Sequence, residues 1–424
     1  MTSYLFALID AGGTVAPELG AASRLVQRGH TVNVIAEESM REEVVAAGAT
    51  FSAWTGAVNR PDRRPENDPL HDWDIRSPRE LFARISDDIL IGPAPQFASD
   101  VMAKIRDGRP DVVVCSFFTV GAMVAAEATG IPYVVLMANI YGLPARGMPP
   151  FGLGLRPRSG PLGRLRDSAI NAMVRRQWNR ELGRLNALRK SNGLQRISDV
   201  WDEVRQAAKV LVLTSATFDF PAQVPGNTRY VGAVLDDPAW ADRPWTPPPG
   251  EDPLVLVAMS STFQDHVDAL QRCIDALASL PVRGIVTTGQ AVDPSQLRAA
   301  PNVSVVAAAP HSRVLKHAAV VLTHGGHGTV MRSLAAGVPM VVMPLGRDQF
   351  DNAVRVDSRG AAITVSRDAD AGTIADAVRK VLADGRYRRA AERMGESIRA
   401  DAASGALVAE LEGVRSGQRV GESE

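Results

Sequence analysis

The stretch His324-Gly325-Gly326-His327-Gly328-Thr329, continuing through Leu334-Ala335-Ala336-Gly337-Val338-Pro339 to Asp348-Gln349, decides the reading of the whole 424-residue chain. An apolar β-branched run, Val320 to Thr323, precedes it, and a helix-length segment, Thr329 to Ala336, follows. That order reads strand, glycine turn, helix. At such a turn glycines admit positive φ and let the backbone approach a ligand, while the N–H groups of the next helix point at whatever lies in front of it. An anionic ligand, a phosphate above all, fits there; the competing reading is a tight turn with incidental histidines. Gly337-Val338-Pro339 ends the helix, Met340 to Met343 reads as a buried strand, and Pro344 opens a loop presenting Asp348 and Gln349 at the carboxyl edge of the sheet. Ligands of open α/β sheets bind at that edge.

The same alternation runs outward in both directions. Leu254 to Met259, Val282 to Thr287, Val303 to Val306 and Ala361 to Val365 supply further strands of a second half, each separated by a helix-length piece. Ala371 to Ala383 and Tyr387 to Leu411 read as closing helices, and the residues after Gly413 as a polar, frayed tail. Upstream, Trp245-Thr246-Pro247-Pro248-Pro249-Gly250 marks an extended linker over residues 236–252. The expected division is therefore a first domain over 1–235 and a second over 253–412. The first domain opens with Tyr4 to Ile9 as strand, Gly12-Gly13 as turn, a helix from Pro17 to Arg28, and Thr31 to Ala36 as strand, a right-handed β-α-β unit. A polar stretch from Asn59 to Arg76 reads as a mobile surface loop. Asp111 to Cys115 and Tyr133 to Met137 read as buried parallel strands. Leu165 to Lys190 reads as one Arg-rich helix, and Lys209 to Leu213 and Thr228 to Val231 as the last strands of this half. Between Asn139 and Gly163 lies a Gly- and Pro-rich apolar loop with Tyr141, Met148 and Phe151, which either lines a pocket or packs on the domain.

Composition narrows the function. The length exceeds one ordinary core and suits two domains of about 200 residues each. With 47 basic and 47 acidic residues the formal net charge is zero, so there is no nucleic-acid or anionic-membrane footprint. Two cysteines, Cys115 and Cys273, are too few for a disulfide frame or a metal site, and a reduced cytoplasm is the default expectation. No run approaches the about 18 apolar residues of a membrane span, and Tyr4 to Ile9 reads as a first strand rather than a signal peptide. Five Lys against 42 Arg hints at a GC-rich bacterial genome.

The run from Ala309-Pro310-His311, through His324 to Gly328, to Gly337-Val338-Pro339 and Asp348-Gln349 resembles the donor-sugar signature of the family 1 glycosyltransferases. The resemblance implies a GT-B fold: α/β, with two Rossmann-like β/α/β domains facing a cleft and the final helix crossing back onto the first domain. It implies a metal-independent enzyme with a nucleotide diphosphate sugar as co-substrate, no other cofactor, a small hydrophobic acceptor and a monomeric or homodimeric state. Pro310, His311, His324, Gly326, Gly328 and Thr329 are then donor-binding, with the helix N-terminus facing the diphosphate. Ser260, Ser261 and Thr262 fall in the matching turn after the first strand of the second half, where the alternative is helix capping. Asp348 and Gln349 match the pair that holds sugar hydroxyls.

Several positions depart from the pattern. Arg332 stands where many members carry a ribose-binding glutamate, and Ala308 where plant relatives stack a tryptophan on the base, which leaves uridine and thymidine nucleotides both open. Gly13-Thr14-Val15-Ala16-Pro17 aligns with the family's Gly-His-x-x-Pro and puts Thr14 at the position of the usual general base. Ser116 falls where an aspartate normally orients that histidine. Threonine is no base at neutral pH. Asp10 is the nearest carboxylate, unless it caps the glycine turn, and His71 is a further candidate; otherwise the acceptor itself must be acidic. Phe117, Tyr141, Met148, Phe151 and His71 are the expected acceptor-binding residues. The two functions these residues allow are an inverting glycosyltransferase with a replaced base dyad and a non-catalytic helper of the same fold.

Overall fold

A computed structural model describes residues 1–158 and 160–414. Valine-rich runs bounded by glycine and proline become strands buried on both faces, the condition for a parallel sheet. In the first half these are β1 (Ser3–Ala7), β2 (Thr31–Ala36), β3 (Thr50–Ala53), β4 (Val112–Ser116), β5 (Tyr133–Met137), β6 (Lys209–Val212) and β7 (Thr228–Tyr230). They form one sheet in the order β3-β2-β1-β4-β5-β6-β7, parallel throughout. The second half contributes β8 (Leu254–Ala258), β9 (Arg283–Thr287), β10 (Val303–Val306), β11 (Ala318–Thr323), β12 (Met340–Val342) and β13 (Ala362–Thr364), in the parallel order β10-β9-β8-β11-β12-β13.

Strand alternation sorts the side chains into layers. Val113 and Cys115 of β4 face a core with Phe97 and Met123, whereas Val112 and Val114 face one with Leu19 and Leu25 of the helix Val15–Gln27. In each sheet the strand order reverses once, between β1 and β4 and between β8 and β11. Crevices open at such reversals because successive connections leave to opposite faces.

Four expectations need correction. The Asn59–Arg76 stretch is a pinned loop, with Arg60 buried against Glu37 and Asp10, and Arg63 bonded to Asp10 and Glu43. Charge pairing, invisible to a composition argument, holds it. The long Arg-rich helix is two helices, Pro161–Trp178 and Leu182–Ser191, joined by a 3-10 turn. The closing helix also divides, into Gly385–Ala403 and Ala406–Glu412, because Gly405 takes a left-handed conformation. The second piece returns to the first sheet, where Leu407 and Leu411 are buried among Leu25, Val32 and Tyr4. Val414 is buried there as well and so is not part of a polar tail, while residues 415–424 lie outside the described residues. Glu412 anchors this return by bonding Arg28 and His30.

The return makes a clear stability prediction. Leu411 is fully buried, so Leu411→Ala should cost about 2–5 kcal/mol, the usual range for a core leucine. The urea unfolding midpoint measures it, and a loss below about 1 kcal/mol would mean that the terminal helix lies outside the cooperative unit.

Candidate active site

The two reversal points meet face to face. The loop after β1 holds Asp10, Gly12 and Thr14, and the loop after β8 holds Ser260, Ser261 and Thr262. Gly12 has φ 70°, and a Cβ on it would lie 2.5 Å from Thr262 Cγ2. Only glycine permits this approach. Arg347, in the loop after β12, spans the same gap: its Nε donates to Asp72 at 2.6 Å and its Nη1 to Thr262 Oγ1 at 2.9 Å, with Asp68 at 3.8 Å. Burial pulls its guanidinium pKa down, but Asp72 and Asp68 outweigh that and raise it.

On the first-half side, Asp10 is spoken for. Its Oδ2 accepts from Ser39 and Arg63, and its Oδ1 from the Gly12 N–H. Burial pushes its carboxyl up, yet the Arg63 and Arg60 guanidiniums prevail and hold it below the usual range. A carboxylate so engaged braces the glycine turn and pins the loop; it is a poor general base. Thr14 caps the helix Val15–Gln27 without bonding it, and its Oγ1 has no partner. One turn further, Glu18 is 1% exposed. Its backbone N–H donates to the Thr14 carbonyl, and its Oε2 has no partner. Ser116, at the end of β4, is buried with an unpartnered hydroxyl. Burial pushes the Glu18 carboxyl up to about 8, and the Ser116 hydroxyl, close by though outside hydrogen-bonding distance, opposes the shift. Glu18 was not among the residues expected from the sequence. The signal was available, since it takes a core position in the helical period of Val15, Leu19, Ala22 and Leu25, where a charge is out of place.

On the second-half side, Gly325 (φ 90°) turns the chain from β11 into the helix His327–Ala335, with Gly326 at its N-cap. His324 is buried against this turn, and burial lowers its pKa to about 3, so its imidazole is neutral. His327 points across to the first half, where its Nε2 meets Thr214 Oγ1 at 2.9 Å. Thr329 is half-buried one residue beyond Gly328. Arg332 folds back toward Gly328 and donates to the Asp236 carbonyl. His311 follows Pro310, the N-cap of a short helix, and its Nε2 lies 3.1 Å from Thr287 Oγ1. Ser260 and Thr262 bond each other at 3.1 Å and cap no helix, for the next begins at Val267 behind His266.

The Asp348-Gln349 pair divides. Asp348 is half-buried at the N-cap of the helix Gln349–Ser358. Its Oδ2 accepts from Asn352 at 2.6 Å, and the Asn139 amide of the first half lies close enough to lower its pKa. Burial raises its pKa, and these two amides partly restore it. Gln349 instead turns inward, 2% exposed, accepting from the Leu345 and Gly346 N–H groups and donating to Gln264. Both ends of its amide brace the loop. Asn139 is the residue that approaches Asp348 from the opposite half, and adjacency in sequence carried no hint of it.

The expected acceptor residues scatter. Tyr141 and Met148 are buried in the core of the first half. Phe117 stacks on Trp201 at 5.5 Å, on the face of the sheet opposite Glu18. Phe151 is exposed. His71 stacks on Trp73, which meets Phe263 of the second half edge-on. A cavity of about 320 Å³ between Gly56–Val58, Pro69 and residues 87–96 is lined by none of the five. The apolar loop thus divides between core packing at Tyr141 and Met148 and exposure at Phe151, a division that composition does not reveal.

Two parallel sheets whose reversal points close on one cleft, with a helix N-terminus on one wall, define a GT-B glycosyltransferase. The chain belongs to the UDP-glucoronosyl and UDP-glucosyl transferase family, whose profile matches residues 164–403; a glycosyl transferase 4-like domain profile matches residues 12–180. It is 31% identical over 413 residues to 4'-demethylrebeccamycin synthase of Lentzea aerocolonigenes, covering 93% of this chain and 95% of that protein. Identity to the oleandomycin glycosyltransferase of Streptomyces antibioticus is 26% over 361 residues, 84% of this chain and 77% of that one. Among solved structures, the kitacinnamycin glycotransferase superposes with a TM-score of 0.75 at 23% identity, covering 97% and 98% of the two chains. The spinosyn rhamnosyltransferase SpnG complexed with thymidine diphosphate gives 0.64 at 19% identity, covering 97% and 100%. At such identities these structures establish the fold. No helix among the described residues is long and apolar enough to cross a membrane.

Asp10 as a brace has a measurable signature. Asp10→Asn removes the negative charge that pairs with the largely buried Arg63 and faces the buried Arg60 at 3.9 Å, and should destabilise the fold by about 3 kcal/mol. Because its folded pKa lies below the ordinary 3.8, the stability it brings is present above that value and lost as pH falls through the folded pKa. Urea unfolding from pH 7 down to pH 2 should show this acid loss in the wild type and a shallower one in the variant.

Proposed function

We propose that the protein is an inverting glycosyltransferase that moves a hexose from a UDP- or dTDP-sugar to a small hydrophobic acceptor, such as a phenolic or polyketide natural product. The observation that carries this is the cleft itself. On the second-half wall stand a helix N-terminus at Gly326 to Thr329, His324, and the hydroxyls of Ser260 to Thr262, and Thr262 meets Gly12 of the first half across the cleft. Unpaired N–H groups and the helix dipole favour a diphosphate there. His324 is neutral in the free protein, and its imidazole N–H is the donor to the leaving group. Asp348, with Asn139 and Asn352 beside it, supplies the carboxylate that holds sugar hydroxyls. No metal is required in this reading; Arg347 supplies the positive charge and His324 a neutral N–H donor.

The relatives agree with this reading in kind, since one is an oleandomycin glycosyltransferase and a structural neighbour holds thymidine diphosphate. The donor is tested by a thermal-shift panel of UDP- and dTDP-sugars, in which a ligand at 100 times its Kd adds about 2.7 kcal/mol of apparent stability. No shift with any of them would remove the donor assignment.

Two substitutions separate the roles. His324→Ala should lower turnover at saturating donor by at least about a hundredfold, the scale for a preorganised donor to developing charge; unchanged turnover would take His324 out of the site. Asp348→Ala should lose discrimination between sugars while keeping affinity for free nucleoside diphosphate. Equal loss for both ligands, read by calorimetry, would place the carboxylate at the diphosphate instead.

A further inference from the structure

Three buried oxygens without partners gather where the first sheet reverses: Thr14 Oγ1, Glu18 Oε2 and Ser116 Oγ. Buried polar atoms in folded proteins almost always find partners, so three together at one reversal point mark a place built for something else. Thr14 and Glu18 lie one turn apart on the same helix and face the same way, as the Glu18 N–H to Thr14 carbonyl bond of 3.1 Å requires. Ser116 faces them because β4 alternates, sending Val112, Val114 and therefore Ser116 to the side of the sheet that the helix Val15–Gln27 covers.

Of the other buried carboxyls, Glu37 accepts from Arg60 and the Asp10 N–H, and Asp219 from Arg355; Glu203 also has an unpartnered Oε2, but its Oε1 accepts from the Arg189 guanidinium, a cation that Glu18 lacks. The charged groups around Glu18 are engaged too. Arg24 pairs with Asp236, Arg28 and His30 with Glu412, and Asp10 with Arg63 and Arg60; on β4, Cys115 points to the other face. No cation faces Glu18, and burial with the Ser116 hydroxyl accounts for its state.

We propose that Glu18 is the proton acceptor of the transfer reaction, drawing the proton of the acceptor hydroxyl through Thr14 Oγ1 while Ser116 steadies the carboxylate. This rests on the sugar-transfer reading and deepens it. The acceptor oxygen forms its bond to the anomeric carbon, and the bond from that carbon to the diphosphate oxygen breaks, its electron pair leaving with the diphosphate. Thr14 Oγ1 and Glu18 are not hydrogen-bonded in the free protein and close to bonding distance with the acceptor in place; the acceptor's proton then passes to Thr14, whose own proton passes to Glu18, which ends as the carboxylic acid and returns its proton to solvent after product release. Thr14 thus keeps the place of a base without being one, and Glu18 supplies the basicity from one turn below.

The carboxyl works only when ionised, so kcat/KM should rise with pH through about 8 with the same pKa for acceptors of different acidity. A limb that follows each acceptor's own pKa overturns the proposal, and this measurement needs no variant. Glu18→Gln keeps the shape; it should lower turnover of a non-acidic alcohol by about a hundredfold or more, abolish the limb near pH 8, and leave the thermal shift by UDP- or dTDP-sugar unchanged. Thr14→Val should do the same, and the double variant should be no worse than either alone, because members of one relay are non-additive. Wild-type turnover in Glu18→Gln overturns the role of Glu18 and leaves sugar transfer intact, whereas a wild-type protein that transfers no sugar overturns the underlying reading instead.

A readout apart from activity follows from linkage. The folded pKa is raised from 4.5 to about 8, so the stability this group brings is present below 4.5 and lost as pH rises through 8. The melting temperature of the wild type relative to Glu18→Gln should therefore fall over that window. A flat difference would mean that the carboxyl is not buried as an acid and would overturn the proposal.

Discussion

The approach of Gly12 to Thr262 is the constraint on which the rest depends. Each half alone is an ordinary parallel sheet with a crevice at one reversal of strand order. Neither crevice holds more than part of a site. A Cβ at position 12 would lie 2.5 Å from Thr262, so the absence of a side chain lets the two crevices become one cleft with acceptor chemistry on one wall and anion binding on the other. Arg347 then clasps the walls through Thr262 and Asp72, and His327 does so deeper in through Thr214.

Charge in this cleft is arranged by burial as much as by pairing. Asp10 and Glu18 lie eight positions apart and both are buried, yet they end in opposite states. Two guanidiniums face Asp10 and keep it ionised, while nothing charged faces Glu18 and it holds its proton. Opposite charge against desolvation decides each case. The same contrast separates Arg347, raised by two aspartates, from the neutral His324 and His327, which no carboxylate approaches closely enough to offset their burial. The site is thus mixed in charge states although the chain is neutral overall.

Much of the architecture was legible from local pattern. Valine runs, glycine turns and helix-length spacers are local signals, and strands such as Thr31–Ala36 and Tyr133–Met137 match the reading residue for residue. Parallel order follows because every strand is separated from the next by a crossover. Errors came where a single residue breaks a periodic run, as Gly405 does, or where distant charges hold a polar stretch in place, as Asp10, Glu37 and Glu43 hold Arg60 and Arg63.

At the site the sequence by itself determined which residues stand at the strand ends: the glycine turns, His324, Thr14, Ser116 and the Asp348-Gln349 pair. Strand ends are dictated locally, and a one-dimensional pattern suffices to find them. Which side chains are free to act was decided only by the tertiary structure. Gln349 and Asp10 are consumed by partners that the chain order does not reveal, and Asn139 reaches Asp348 from more than 200 positions away. Glu18, a charge on a helix in one dimension, becomes a buried acid with an unpartnered oxygen only when its helix packs against the sheet. Partnership and desolvation are properties of three-dimensional surroundings, and they convert a residue type into a chemical role.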